Sequence, residues 1–138
     1  MVSRRLIALS AGAAVALGAP VAMAATSHGI TPVAPKRGAT ITPDKRPVFK
    51  MRVKGPGQVF VYVCTKAKRN KKGVICSNID TIQAKRKKGT LFQGRSHYNE
   101  NIWPHGTGTY FWQAHRISCE GNINDCLQEG PVVRFKVG

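Results

Sequence analysis

Apolar and polar residues alternate with a period of two along much of this chain. In Pro47–Lys54, Phe49, Met51 and Val53 alternate with Lys50, Arg52 and Lys54. From Thr107 to Val137 two such runs follow one another. Tyr110, Trp112 and Ala114 alternate with Phe111, Gln113 and His115; then Val133, Phe135 and Val137 alternate with Arg134 and Lys136. A period of two with one apolar face marks a half-buried strand, so Thr107–Val137 predicts an antiparallel hairpin. Gln58–Thr65 differs. Val59, Val61 and Val63 fill one face while Phe60, Tyr62 and Cys64 fill the other, which predicts a central strand covered at least partly on both sides. Thr40-Ile41-Thr42 is β-prone and Pro43 ends it, the pattern of a short edge strand within 38–43. Ile75, Ile79 and Ile82 are irregularly spaced in Val74–Ala84, and Leu91-Phe92 marks a further short strand. Gly55-Pro56-Gly57 is a turn, Lys66–Gly73 and Lys85–Gly89 are basic turns, and Ser96–Gly106 is a loop. No window shows apolar residues at helical spacing with caps. About seven short strands separated by turn residues predict an all-β fold, an antiparallel β-sandwich.

The ends of the chain change the picture. Residues 1–24 begin with Arg4 and Arg5, continue through the apolar run Leu6–Val21, and close on Ala22-Met23-Ala24. This pattern predicts a secretory signal peptide cut after Ala24. The apolar run is interrupted by Gly12, Gly18 and Pro20 and is short for a membrane span of ~20 residues. Ser3-Arg4-Arg5 is similar to part of a twin-arginine signal, but Ile7-Ala8 stand where Phe-Leu is usual. A general export signal suits four cysteines that oxidise outside the cytoplasm. Residues 25–37, with Pro32 and Pro35 and no apolar period, predict a flexible lead-in. Residues 38–138 form the one domain. No second apolar segment follows, so no span is expected in the exported chain. Without Arg4 and Arg5, 20 Lys+Arg face 6 Asp+Glu, a net charge of +14. Such a charge attracts polyanions without specificity.

Several of these residues also form a familiar series. Gly108-Thr109-Tyr110-Phe111-Trp112-Gln113-Ala114, followed by Gly130-Pro131-Val132-Val133-Arg134-Phe135-Lys136-Val137, resembles the last two strands of fibronectin type III-like (immunoglobulin-like) domains. Thr42-Pro43 and Arg46-Pro47-Val48-Phe49-Lys50-Met51 resemble that family's second strand, with Met51 in its tryptophan position, and Ile102-Trp103-Pro104 falls at its apolar anchor. The resemblance spans roughly residues 38–138. It implies that Tyr110 buries its ring at a corner and returns its hydroxyl to nearby backbone. It also implies that Trp112 shares the core with Phe49, Met51, Phe135 and Val137. The family hosts many functions, so the resemblance implies no activity. Four cysteines and the heavy positive charge depart from it.

Four cysteines allow three pairings. In a sandwich of the implied order, Cys64 and Cys76 lie at one pole and Cys119 and Cys126 at the other, so local pairing, Cys64–Cys76 and Cys119–Cys126, is expected. Each closed loop would contribute ~2–3 kcal/mol on the chain-entropy model. The spacings do not match common zinc sites, and neither a metal nor a cofactor is expected.

The functional candidates are the two basic turns. Lys66, Lys68, Arg69, Lys71 and Lys72 lie inside the loop that Cys64–Cys76 would close, and Lys85, Arg86, Lys87 and Lys88 form a second cluster. A stapled, compact group of cations suits polymers of phosphate, sulfate or carboxylate; solvated, solubilising turns would carry the same residues. No motif of a sequence-specific nucleic-acid reader is present. Glu120, Asp125 and Glu129, with Asn122 and Asn124, lack the spacing of a calcium loop and read as a polar turn. A ribonuclease would need an acid/base pair drawn from His97, Glu100, His105 and His115 to converge on one groove. The sequence therefore predicts a secreted, non-catalytic, monomeric binding module that contacts an anionic polymer or cell-envelope component through its basic loops. A small basic hydrolase of the ribonuclease kind, or a cationic effector or inhibitor, is the alternative.

Overall fold

The computed structural model describes residues 25–68, 79–97, 106–118 and 126–138. The expected signal peptide, Cys76, Cys119, Arg69, Lys71, Lys72, Glu100 and His105 lie outside them, as does Ile102-Trp103-Pro104. The chain is all-β. Its strands are β1 (Ile30–Ala34), β2 (Thr40–Ile41), β3 (Val48–Val53), β4 (Gln58–Cys64), β5 (Asp80–Lys88), β6 (Leu91–Arg95), β7 (Gly108–Ile117) and β8 (Leu127–Val137). They form one curled sheet, a half-barrel, in the order β1-β3-β6-β5-β4-β7-β8-β2. Neighbours are antiparallel except β2, which runs parallel to β8. Where about seven antiparallel strands in two layers were expected, eight strands share a single mixed sheet.

Strand β5 is the reason. Its first half pairs with β4, from Val63↔Asp80 to Val59↔Ala84, and its second half pairs with β6, at Lys85↔Gln93 and Lys88↔Leu91. One strand thus carries the ladder through the position where two layers would separate. Lys85–Lys88, read as a turn, are strand residues; the turn is confined to Gly89 and Thr90. Long charged side chains mask strand propensity in sequence, but they are tolerated where they face water. The lead-in reading of residues 25–37 also needs correction, because Ile30–Ala34 forms β1. Ile30 is fully buried, and a Cβ added to Gly130 would come within 2.6 Å of its Cγ2. Pro32 is tolerated because β1 is an edge strand that needs few ladder donors.

The remaining strands follow their alternation. Phe49, Met51 and Val53 of β3, Val59, Val61 and Val63 of β4, and Tyr110, Trp112 and Ala114 of β7 are buried, as are Val133, Phe135 and Val137 of β8. Phe49 bridges Trp112 and Phe135, with ring centroids 5.3 and 5.9 Å away, and Tyr110 stacks on Phe135 at 5.9 Å. Burying each such side chain contributes about 1.5–3 kcal/mol. The two buried polar handles find backbone acceptors. Tyr110 Oη donates to the Gly106 carbonyl (2.7 Å), and Trp112 Nε1 donates to the Pro35 carbonyl (3.1 Å). Between Gln113↔Val132 and His115↔Glu129 the register shifts by one residue, a bulge at Gly130-Pro131 where proline has no N–H to give.

Candidate polyanion-binding face

The cross-strand register sets which cations share a surface. On β3, Lys50 and Arg52 point away from the core that receives Phe49 and Met51. Lys50 pairs with Gln93 of β6, which pairs in turn with Lys85 of β5. One step along, Arg52 pairs with Leu91, and Leu91 with Lys88. Two rows therefore cross the outer face, Lys50–Gln93–Lys85 and Arg52–Leu91–Lys88. With neighbouring strands ~4.8 Å apart, the cations of each row stand about 10 Å from one another, on either side of a neutral floor. Along β3, Lys50 and Arg52 are separated by about 7 Å. All four are exposed, while Gln93 and Leu91 are half-buried. Arg95 extends the face at the end of β6, opposite Val48.

No described carboxylate shares this face. Asp44 lies in the turn before β3, Asp80 is buried, and Glu129 is on β8 accepting from Gln113 Nε2 (3.0 Å). Among the described residues nothing neutralises this positive field locally, and an un-neutralised positive field attracts an anionic chain. Arg86 plays a different part. Its guanidinium lies 4.9 Å from the Phe92 ring centroid and Nη1 donates to the Gly89 carbonyl (2.6 Å), so it braces the β5–β6 turn. Lys87 is exposed, at the register shift between Arg86 and Lys88.

Of the first basic cluster predicted from sequence only Lys66 and Lys68 are described, and these two stand apart from Lys85–Lys88. Lys66 and Lys68 are exposed beyond Cys64, at the end where Val63 faces Asp80; Lys85–Lys88 extend past Ala84, at the opposite end of the same pair of strands. The face instead recruits Lys50 and Arg52. Their signal was present in the alternation of β3, but their proximity to Lys85 and Lys88 depends on two non-local strand pairings.

Cys64 is fully buried, and its Sγ donates to the Lys66 carbonyl (3.0 Å). Cys126 sits at the foot of β8, at the other pole. Each expected disulfide needs a cysteine outside the described residues, so neither pairing is shown.

His97 and His115, the described members of the histidine set, occupy separate environments. His97 is exposed and its Nδ1 donates to Asp80 Oδ1 (2.7 Å). Asp80 Oδ2 also accepts from Ser96 Oγ and the His97 amide, both at 2.9 Å. His115 is wholly buried on β7 and meets the Tyr62 ring edge-on at 4.3 Å. Gln113 Nε2 donates to Glu129 Oε2 and to the Gly130 carbonyl (2.8 Å), which turns Gln113 Oε1 toward His115 Nε2 (2.8 Å). His115 Nε2 must then carry the proton. Burial pushes the Tyr62 hydroxyl above its ordinary pKa. His115 has no access to a substrate, so it does not join His97 in a groove. Among the described residues no three His, Cys, Asp or Glu side chains gather as a metal site, and no helix is long and apolar enough to cross a membrane.

Compared with known proteins, the chain matches no family model and no curated protein.

Proposed function

We propose that this protein is a secreted, non-catalytic module that binds linear anionic polymers at the cell surface. The observation that carries the proposal is the outer face of β3, β6 and β5, where Lys50, Arg52, Lys85 and Lys88 flank a neutral floor with no carboxylate beside them among the described residues. Phosphate or sulfate groups along an extended chain would meet a cation on either side, and each neutralised charge would release a counterion. Lys66 and Lys68 offer a second contact at the far end of β4. Export rests on the signal-like residues 1–24, with cleavage after Ala24. The frame is read as a fibronectin III-like sandwich whose layers, β1-β3-β6 and β4-β7-β8, are joined through β5; the Tyr110 corner supports that reading. Two local disulfides complete it. The Ser118 amide lies 3.4 Å from the Cys126 carbonyl, which favours closure by Cys119–Cys126. The Ile79 amide donates to the Val63 carbonyl (3.1 Å), which holds the two ends of the stretch containing Cys76 together. Forming Cys64–Cys76 would exchange the Cys64 contact with Lys66.

The test is retention on an immobilised sulfated or phosphorylated polymer across a salt series. Replacing Lys50, Lys85 and Lys88 by Gln should lower the slope of log affinity against log salt by about one per lysine. Replacing Lys66 and Lys68 should change it less. A slope unmoved by the three-lysine variant overturns the proposal.

One observation favours the hydrolase alternative, the Asp80–His97 pair that orients an exposed imidazole. Cleavage of RNA by the purified protein that His97→Ala abolishes would establish it. Intact RNA would remove it.

A further inference from the structure

A cleft of about 620 Å³ opens where the two margins of the curled sheet approach each other, between β1 and the bulged stretch of β8. Its size falls within the range of about 300–1,000 Å³ that small-molecule sites occupy. Pro32, Val33 and Pro35 supply one wall, and Pro131, Val132 and Val133 the other. Three cations, Lys36, Arg37 and Arg52, also line it, and among the described residues no carboxylate does. The walls are held from behind. The Pro35 carbonyl accepts from Trp112 Nε1 deep in the core. The turn bearing Lys36 and Arg37 is fastened to β8, because the Gly38 amide donates to the Arg134 carbonyl and the Lys136 amide to the Ala39 carbonyl, both at 2.8 Å. The cleft is also continuous with the basic face. Arg52 belongs to both, since Thr31, another lining residue, pairs with it across β1 and β3.

We infer that this cleft receives the apolar end of an anionic amphiphile, a single alkyl or acyl chain whose phosphate or carboxylate head meets Lys36, Arg37 and Arg52. The inference rests on the polyanion reading and narrows its ligand to an anion with an apolar tail. Apolar walls alone would accept any greasy molecule. The unbalanced cations at the rim select a negative head and reject a positive one. A chain anchored in the cleft would leave its charged portion at Arg52, from which the rows over β6 and β5 lead away.

Titration calorimetry with dodecyl phosphate, kept below its micelle concentration, tests the inference. Dodecyl phosphate should bind saturably with one site per protein, whereas inorganic phosphate and dodecyltrimethylammonium should give no saturable heat. Lys36→Glu with Arg37→Glu, both exposed positions, should weaken dodecyl phosphate binding about tenfold or more. Val132→Trp should also weaken it by filling the cleft, while retention on the anionic polymer stays unchanged. Absence of saturable binding overturns the inference, as does equal binding of the cationic surfactant, or binding that neither variant weakens. Failure of the polymer reading is distinct. There, dodecyl phosphate would still bind, while the polymer salt slope would be unmoved by the Lys50, Lys85 and Lys88 variant.

Discussion

The Tyr110 hydroxyl donates to the Gly106 carbonyl oxygen, four residues upstream, across 2.7 Å. This bond ties the entry of β7 to its own leading segment while the ring stacks on Phe135. Tyr110→Phe keeps the ring and removes the donor. It should lower unfolding free energy by about 0.5–1.5 kcal/mol in urea titrations, the net worth of one such bond. Unchanged stability would mean that the corner is held by packing alone.

Asp80 joins the start of β5 to the end of β6 by accepting from Ser96 and twice from His97. Asp80→Ala strands those donors and should cost about 1–3 kcal/mol. His97→Ala removes an exposed partner and should cost under about 1 kcal/mol. Equal losses measured by denaturation would contradict this asymmetry.

Burial raises the Tyr62 pKa in the folded chain, so the unfolded chain ionises first. The resulting stability is complete below about pH 10 and is lost as pH rises through the raised folded value. Thermal melts from about pH 9 to 12 should therefore fall more steeply for the native protein than for Tyr62→Phe. Parallel curves would exclude Tyr62 as a source of alkaline instability.

Gly57 has φ +118°, and an added Cβ would lie 2.2 Å from the Ile117 carbonyl oxygen. Gly57→Ala forces the turn away from β7 and should cost more than ~1 kcal/mol. Gly38→Ala is the control, since Gly38 has φ +81° but nothing within 4 Å of an added Cβ. Its loss should be the smaller of the two in the same melts.

Strands β3, β4, β7 and β8 were legible in the sequence because their alternation is local and their apolar residues large. That the Tyr110 hydroxyl returns to nearby backbone was implied by the family resemblance, but its acceptor, Gly106, was not singled out. Strand β1 was hidden, because Pro32 and Pro35 suppress strand propensity while only Ile30 announces a core position. The extent of β5 was hidden by Lys85–Lys88, whose charges look like a turn. Gln113 and His115 are polar yet buried because they satisfy each other and Glu129, a relation that no single position discloses. The basic face escaped for a different reason. Lys50 and Lys85 are 35 positions apart in sequence, and only Gln93, paired to both, places them on one surface.

The sharing of β5 has a consequence for how the molecule opens. Asp80–Ala84 hold β4 and Lys85–Lys88 hold β6, so the same backbone segment is a rung of both halves of the sheet. Local opening at either half must loosen the strand that secures the other. Amide protons of β4 and β6 should therefore exchange with solvent in a single cooperative unit rather than in two separate ones.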